Sequence, residues 1–260
     1  MSADRSTTTT ATAGPASTTP TRRRTTDELR ALAAEGERLL TAAHRPGGTE
    51  ADAAEVAAWA ARTFPGTLAV ACSMADAVLP HVVAEQAPGV DVLFLDTGYH
   101  FAETHGTRNQ VEHELDVTIV DVLPELTVAE QDAQYGPTLH DRDPAACCRM
   151  RKVEPLKAVL AGYEAWVTGV RREEGPTRAD TPLVTFDEQF GLVKLNPLAA
   201  WSFDDVLGYA TDRRVPVNLL LSDGYPSIGC EPCTKRVAPG DDPRAGRWAG
   251  FAKTECGLHP

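Results

Sequence analysis

The sequence predicts an α/β protein with a mostly parallel sheet flanked by helices, and two observations lead to this prediction. Short continuous apolar runs, typical of strands covered on both faces, alternate along the chain with helical apolar patterns. Strands that alternate with helices form βαβ units, whose strands run parallel. The chain has 260 residues, 42% of them hydrophobic, which is enough for one large domain with appendages.

Two helices are predicted ahead of the sheet. The first covers residues 27–43, with apolar residues at helical spacing and Thr26 as its expected N-cap. The second covers about residues 50–62 and is stopped by a Pro-Gly pair. Segment 1–25 is rich in Thr, Ala, Ser and Pro, so it can bury little surface and is predicted to be disordered.

Four buried strands follow, with helices between them. The strands are predicted over residues 68–72, 90–95, 117–122 and 165–168, and the helices over residues 75–86, 101–115 and 155–162. Ligands of such sheets bind at the carboxyl ends of the strands, so a binding site is expected there. Those ends hold Cys72 and Ser73, then Asp96, Thr97 and Gly98, and then Gly169, Val170, Arg171 and Arg172.

The second half of the chain is less regular. Residues 183–186 and 192–195 are predicted to form a hairpin. Ser202, with Asp205 three residues later, resembles a capping box at the start of a helix. Beyond residue 214, Pro, Gly and Asp dominate, which indicates a loop-rich C-terminal part.

Composition excludes several classes of partner. A formal net charge of −12 argues against nucleic acid. No apolar run approaches the roughly 18 residues of a membrane span, and the polar N-terminus lacks the apolar region of a secretory signal. Six cysteines without export favour metal binding or catalysis in a reducing cytosol over disulfides, so we predict a cytoplasmic protein.

Basic residues nevertheless cluster in four places. The clusters are Arg149, Arg151 and Lys152; Arg171, Arg172 and Arg178; Lys235 and Arg236; and Arg244, Arg247 and Lys253. Solvated surface charge is the common explanation for any single arginine. Because three of the clusters lie beside cysteines, we favour a pocket for a small anion.

The segment from Ala71 to Asp76 leads from a strand into a helix and is a candidate phosphate loop. Backbone N–H groups at a helix N-terminus suit a phosphate. The segment lacks the G-x-x-x-x-G-K-[ST] pattern, which argues against ATP hydrolysis of the Walker type. A plain strand-to-helix connection is the commoner explanation of such a loop.

Two cysteine pairs, Cys147 with Cys148 and Cys230 with Cys233, are candidate metal ligands. Four thiolates can hold zinc or an iron–sulfur cluster. Adjacent cysteines suit a compact tetrahedral zinc site poorly because neighbouring side chains diverge, whereas a cluster offers one iron per thiolate. The spacing therefore favours the cluster over zinc, with reduced structural thiols as a further alternative. Cys72 ends an apolar run and is interpreted as an ordinary buried thiol.

Cys256 has a different setting, between Glu255 and Gly257 near the end of the sequence. It lacks the apolar neighbours in sequence that a buried, inert thiol usually has. A nearby positive field gives a cysteine thiolate character, and candidate sources are Arg247, Lys253 and His259. A nucleophile on a mobile tail can swing in to react and out to be reduced.

Taken together, these motifs resemble the assimilatory adenylylsulfate (APS) reductases of the iron–sulfur type, within the family of APS and PAPS reductases. The resemblance covers roughly residues 67–260. It lies in Leu95–Gly98, Cys147-Cys148 with Arg151–Val153 and Pro155-Leu156, Gly169–Arg172, Lys194–Leu198, Tyr225–Thr234 and Lys253–His259. The terminal Glu-Cys-Gly-Leu-His with both cysteine pairs is the most specific match. Related proteins often carry glycines in the first phosphate loop, where this chain has Met74 and Ala75.

The resemblance implies an adenine nucleotide α-hydrolase-like fold and thioredoxin-dependent reduction of APS to sulfite and AMP, with Cys256 as the nucleophile and a cysteine S-sulfonate intermediate. It also implies a [4Fe–4S] cluster on the two cysteine pairs, for which we prefer a structural and electrostatic role. The implied domains are a disordered segment 1–25, a helical region 26–66, a nucleotide-binding reductase domain 67–245 and a mobile tail 246–260.

The resemblance further implies roles for individual residues. Lys152, Arg244 and Arg247 are expected to bind the sulfate and phosphate, with Arg171 or Arg172 as a further phosphate contact. Ser73 is expected to donate to the phosphate, Leu95, Asp96 and Thr97 to contact the adenosine, and Asp76 and Gly169 to complete the substrate-binding set. His259 is expected to position Cys256 or lower its pKa.

Two enzymatic alternatives remain at this point. A PAPS reductase shares the terminal cysteine but lacks the two cysteine pairs. A zinc-containing adenylating sulfur-transfer protein would have the pairs but no reductase activity. A regulatory binding module is a more remote third alternative, opposed by the Cys256 tail. The sequence does not determine the oligomeric state, and a homo-oligomer is among the alternatives.

Overall fold

The computed structural model describes residues 22–45, 47–249, 253 and 255–258. The helices are α1 Thr26–Leu40, α2 Ala53–Thr63, α3 Val78–Ala84, α4 Ala102–Glu114, α5 Val128–Tyr135, α6 Leu139–Arg142, α7 Pro144–Cys148, α8 Glu154–Leu160 and α9 Phe203–Arg213. The strands are β1 Leu68–Ala71, β2 Val90–Leu95, β3 Val117–Val122, β4 Ala165–Thr168, β5 Val184–Asp187 and β6 Leu192–Leu195. The predictions of strands over residues 90–95, 117–122 and 165–168 are confirmed.

The strands form one six-stranded sheet in the order β3-β2-β1-β4-β6-β5. β1 lies between β2 and β4 and is parallel to both, with Val70 opposite Val92 and Val167. All three valines are fully buried, as expected for central strands of a parallel sheet with both faces covered.

The predicted hairpin is confirmed. β5 is antiparallel to β6, and β6 is parallel to β4. The helix predicted after it is confirmed too, because Ser202 and Asp205 form the capping box that starts α9. The Ser202 hydroxyl accepts the Asp205 N–H at 3.0 Å, and the Asp205 carboxylate accepts the Ser202 N–H at 2.8 Å.

Two predicted details of the helices are wrong, and three short helices were not predicted. The N-cap of α1 is Thr25 rather than Thr26, because Glu28 closes a capping box with Thr25. α3 begins at Val78 rather than near residue 75, because Asp76 forms an antiparallel bridge with Val217. Helices α5, α6 and α7, between residues 128 and 148, were not predicted, although a Thr127/Glu130 capping box marks the start of α5.

The two faces of the sheet carry separate cores. On one face, Leu29 and Leu40 of α1 pack in the same cluster as Val184 and Val193 of the hairpin. On the other face, Leu156 of α8 lies in a second cluster, with Leu160, Ala69, Leu93 and Trp166. Burial of one such side chain stabilises the fold by about 1.5–3 kcal/mol. The helical region 26–66 therefore helps to cover the sheet that carries the site.

Most of segment 1–25, predicted to be disordered, lies outside the described residues, as do residues 250–252, 254, 259 and 260 of the tail. At residue 24, within the described part, the Arg24 guanidinium pairs with Glu164 at 2.6 Å. Among the residues that the structure describes, no helix combines the length and apolar character needed to cross a membrane.

Candidate active site

A cavity of about 230 Å³ lies at the carboxyl ends of β1, β2 and β4. It is placed as expected for a parallel sheet, where loops that leave neighbouring strands meet. The sequence-predicted residues that line it are Ser73, Asp76, Leu95, Lys152, Gly169, Arg171, Arg244, Arg247 and Cys256. Residues far apart in sequence thus meet around one space, with the cysteine of the tail among them.

Four other predicted residues are placed differently. Asp96, Thr97 and Arg172 lie outside the lining of this cavity, and His259 lies outside the described residues. The Asp96 carboxylate accepts the Gly98 N–H at 2.9 Å. The Arg172 guanidinium binds both carboxylate oxygens of Glu50, at 2.7 and 3.0 Å. Of the two arginines proposed as alternatives for a phosphate contact, Arg171 is therefore the one that faces the cavity.

The cavity is rich in charge. Its cationic residues are Lys152, Arg171, Arg178, Arg244 and Arg247, and its acidic residues are Asp76, Glu174 and Glu255. The excess of positive charge suits an anionic ligand. Arg178 was not assigned to the site from the sequence, although it belongs to one of the four basic clusters. It follows β4 in a short 3₁₀ turn, which brings it to the strand ends.

Glu255 is tied to two of these arginines. Arg178 Nε and Nη2 donate to its two carboxylate oxygens at 2.9 and 2.8 Å, and Arg244 Nη2 donates at 3.2 Å. Thr177 Oγ1 donates to the same carboxylate at 3.3 Å. Burial alone would raise the pKa of Glu255, but the hydrogen bonds and charge of Arg178 and the charge of Arg244 outweigh it and lower the pKa. The carboxylate is therefore held in its charged form.

The candidate phosphate loop has an unusual backbone at Met74. Met74 has φ of 59°, in the left-handed region that glycine adopts more easily, and its side chain is fully buried. Asn218 Nδ2 donates to the Met74 carbonyl at 3.1 Å and helps to hold this conformation. Ser73 is exposed beside it and lines the cavity. Cys72 is buried, and burial raises the pKa of its thiol to about 12, which leaves it a poor nucleophile.

The two cysteine pairs line a second, smaller cavity next to the first. Cys147 and Cys148 end α7, whereas Cys230 caps the start of a single 3₁₀ turn, Glu231–Cys233, and Cys233 ends it. All four are free thiols. Burial, together with the charges of the other three, raises the pKa of Cys147 to about 12, so the four thiols lie within electrostatic reach of one another.

The donor set of this second cavity fits a metal cluster. No group of three or more His, Cys, Asp or Glu side chains among the described residues has the arrangement of a single-ion site. Four cysteines around one cavity are nevertheless the donor set of a cluster that presents one iron to each thiolate. A metal would also take the place of the protons that these crowded thiols otherwise keep. Cys147, Cys148, Cys230 and Cys233 are the residues that would hold it.

Lys152 lies between the two cavities and lines both. It lies in the π-helical turn Arg149–Val153, which continues directly from the first cysteine pair. Burial alone would lower the pKa of Lys152, but charge on Cys230, Cys256 and Cys148 outweighs it and raises the pKa. One ammonium group is thus close to both the paired cysteines and the cysteine of the tail. Trp248 also lines both cavities.

Comparison with known proteins agrees with this geometry. Residues 67–236 match the phosphoadenosine phosphosulfate reductase domain. The chain is 56% identical over 236 residues to an adenosine 5'-phosphosulfate reductase of Streptomyces coelicolor, covering 91% of this chain and 97% of that protein. It is 55% identical over 235 residues to one of Mycolicibacterium smegmatis, covering 90% and 96%.

A solved structure supports the same assignment. The crystal structure of phosphoadenylyl-sulfate reductase from Candida auris, a phosphate complex, matches with a TM-score of 0.60 and 29% identity, over 72% of this chain and 90% of that one. The fold and the site define an adenine nucleotide α-hydrolase-like protein with an anion cavity lined by a tail cysteine, which confirms the predicted fold class. The chain belongs to the phosphoadenosine phosphosulfate reductase family, and its resemblance to the APS reductases is confirmed.

Proposed function

We propose that the protein reduces adenosine 5'-phosphosulfate to sulfite and AMP in assimilatory sulfate reduction, toward cysteine biosynthesis in the cytosol. The observation that carries this proposal is that Cys256 lines the same cavity as five cationic side chains. A thiol beside an anion site at the strand ends is what attack on a nucleotide-bound sulfate requires. The relatives named adenosine 5'-phosphosulfate reductase support the choice of substrate.

In the first step, the Cys256 thiolate attacks the sulfur atom of the substrate. A bond forms between Sγ and the sulfate sulfur, and the bond from that sulfur to the bridging oxygen breaks. AMP leaves with the electron pair, and the cysteine carries an S-sulfonate. This is covalent catalysis by an activated thiol.

The difficulty of this step is that an anion attacks an anion. Two like unit charges about 4 Å apart repel by roughly 4 kcal/mol at an effective dielectric of 20, which corresponds to a rate loss of about three powers of ten. Lys152, Arg171, Arg244 and Arg247 line the cavity and are the groups proposed to cancel this repulsion. Ser73 is exposed at the phosphate loop and is proposed to donate to the phosphate. His259 stays a proposed partner of Cys256.

In the second step, a thiolate of reduced thioredoxin attacks Cys256 Sγ. Sulfite leaves with the electron pair of the broken S–S bond, so over the two steps the substrate's sulfur goes from +6 to +4. The second thiol of thioredoxin then resolves the mixed disulfide, which returns Cys256 to a thiol and oxidises thioredoxin by two electrons. This step needs an exposed Cys256, whereas the first needs a closed cavity, so we propose that the tail 246–260 moves between them.

A [4Fe–4S] cluster is proposed on the two cysteine pairs. Two-electron thiol chemistry needs no electron carrier, so we prefer a structural and electrostatic role for the cluster. When bound, it supplies structural support and a charged neighbour for Lys152. Lys152 itself lines both cavities, and its proposed role is to fix a positive charge beside the substrate's sulfate.

The test is to incubate anaerobically purified protein with APS and no reductant, and then to map the products by peptide mass. A gain of about 80 Da on Cys256 alone is expected for a transferred SO₃ group, and thioredoxin added afterwards should release sulfite. Parallel incubation with PAPS tests the first alternative function, because faster turnover of PAPS would contradict this proposal. A colourless protein with stoichiometric zinc would favour the adenylating sulfur-transfer alternative.

A further inference from the structure

Glu255, the residue before the proposed nucleophile, binds the cavity wall through its side chain. Its carboxylate receives two N–H donors from Arg178 and one from Arg244, besides the Thr177 hydroxyl. The side chains of Glu255, Arg178 and Arg244 are only 17%, 10% and 16% exposed. A two-pronged arginine–carboxylate pair in such a setting is stronger and more directional than an exposed ion pair.

These contacts join the tail to two separate parts of the wall. Thr177 and Arg178 belong to the 3₁₀ turn after β4, whereas Arg244 belongs to the loop that follows the second cysteine pair. Adjacent Cα atoms are about 3.8 Å apart, so fixing Glu255 restricts where the next side chain can lie. That side chain is Cys256, which lines the same cavity. Gly257 follows with φ of 87°, a conformation that lets the chain turn away after Cys256.

We propose that Glu255 is a positioning residue, whose pairing with Arg178 and Arg244 holds the Cys256 thiol over the anion cavity for attack. The inference rests on the proposed function of Cys256 and adds the device that docks its tail. Glu255 itself contributes no reacting atom. Reduction of the sulfonated cysteine by a second protein requires the same ion pairs to break, so the strength of the pairing sets a balance between the two steps.

A competing explanation makes the opposite kinetic prediction. If Glu255 merely occupies Arg178 and Arg244 until the substrate's anionic groups displace it, its removal should tighten APS binding and leave the rate at saturation unchanged. If Glu255 positions Cys256, its removal should lower the rate at saturation, and APS binding should stay equal or become tighter. The saturating rate therefore decides between the two.

The experiment compares wild-type protein with Glu255→Gln, Glu255→Asp and Glu188→Gln. Glu188 is the matched control, because it forms a two-pronged pair with Arg30 on the surface, at 3.2 and 2.8 Å. Formation of the Cys256 adduct is followed by peptide mass against time at several APS concentrations without reductant. We expect the saturating rate of Glu255→Gln to fall roughly 10- to 100-fold, that of Glu255→Asp to recover in part, and that of Glu188→Gln to match wild type.

A second measurement needs no substrate. Cys256 is labelled with a small and with a bulky maleimide, and the ratio of the two rates is compared between variants. This ratio reports access to the thiol independently of its thiolate fraction, which a change in nearby charge would alter. We expect the ratio of the bulky-reagent rate to the small-reagent rate to rise in Glu255→Gln, to rise less in Glu255→Asp and to match wild type in Glu188→Gln.

The two measurements separate the failure of this inference from that of the proposed function. An unchanged saturating rate in Glu255→Gln, with or without tighter APS binding, overturns the positioning role. An adduct absent even from wild type overturns the proposed function, and the labelling ratio then still decides whether Glu255 docks the tail. An unchanged ratio in Glu255→Gln contradicts docking.

Discussion

The hydroxyl of Thr97 lies 3.2 Å from the sulfur of Cys230, and both residues are buried. Thr97 follows β2 at the edge of the sheet where the anion cavity lies, yet its side chain is directed at the second cysteine pair. Arg151 helps to hold this loop, because its Nε donates to the Thr97 carbonyl at 2.5 Å. The loop after β2 thus connects the sheet to the proposed cluster.

Thr97→Val should therefore alter the proposed cluster. Valine keeps the shape of threonine but removes the hydroxyl, and hydrogen bonds to ligand sulfurs help to set the potential of such clusters. We expect a lower reduction potential and faster bleaching in air, measured by spectroelectrochemistry and visible absorbance. Thr97→Ser, which retains the hydroxyl, should behave like wild type. Equal bleaching of the Ser and Val variants would show that the hydroxyl has no such role.

Replacement of any one of Cys147, Cys148, Cys230 and Cys233 by Ser should remove the visible absorbance of the anaerobic protein. Because metal binding is coupled to folding, the protein should also unfold locally around α7 and the second cysteine pair. Iron, sulfide and zinc analysis of the same samples measures the loss. Cys72→Ser is the control and should leave the colour intact, since Cys72 follows β1 and does not line the cavity of the two cysteine pairs. Stoichiometric zinc without iron in wild-type protein would refute the cluster.

Lys152→Ala, Arg244→Ala and Arg247→Ala should each weaken APS turnover, by roughly 2–4 kcal/mol in transition-state stabilisation if the contact tightens during attack. All three residues line the anion cavity. Lys157→Ala is the matched control, because Lys157 is exposed on α8. The measurement is kcat/KM for APS with thioredoxin as reductant. If Lys157→Ala loses as much as Lys152→Ala, general charge rather than the cavity is responsible.

The sheet was largely predictable from the sequence, since buried strands leave continuous apolar runs that do not depend on distant contacts. The direction of the side chains beyond the strand ends was not predictable from the sequence. The sequence carries no sign that the Thr97 hydroxyl faces Cys230, and the expected contact of Thr97 with adenosine stays a prediction. Arg178 was not assigned to the site, although it binds Glu255. Both outcomes depend on how loops fold against one another, and local sequence does not encode such contacts.

Met74 gives a test of backbone strain. Two effects oppose each other when Met74 is replaced. Its positive φ favours glycine, whereas its full burial favours a large side chain. Met74→Gly relieves about 1–3 kcal/mol of strain but loses about 2–5 kcal/mol of packing, so the variant should be less stable than wild type. Met74→Ala loses the same packing and keeps the strain. We therefore expect Gly to be more stable than Ala by roughly 1 kcal/mol, the reverse of the usual order, measured by anaerobic urea unfolding. The usual order would show that φ at Met74 is not strained.

Cys256→Ser tests the nucleophile most directly. Serine preserves the size and position of the side chain, but near neutral pH a hydroxyl is a far poorer nucleophile than a thiolate. The variant should therefore still bind APS and keep its visible absorbance, because the cavity cations and the paired cysteines are unchanged. It should form no adduct and release no sulfite when thioredoxin is added. Binding is measured by calorimetry, the adduct by peptide mass and sulfite by a colorimetric assay.

Cys72 is the other cysteine at the cavity that belongs to neither cysteine pair. Burial raises the pKa of its thiol to about 12, so it should not replace Cys256 as the nucleophile. Sulfite release by Cys256→Ser, or a wild-type adduct on Cys72, would contradict the mechanism.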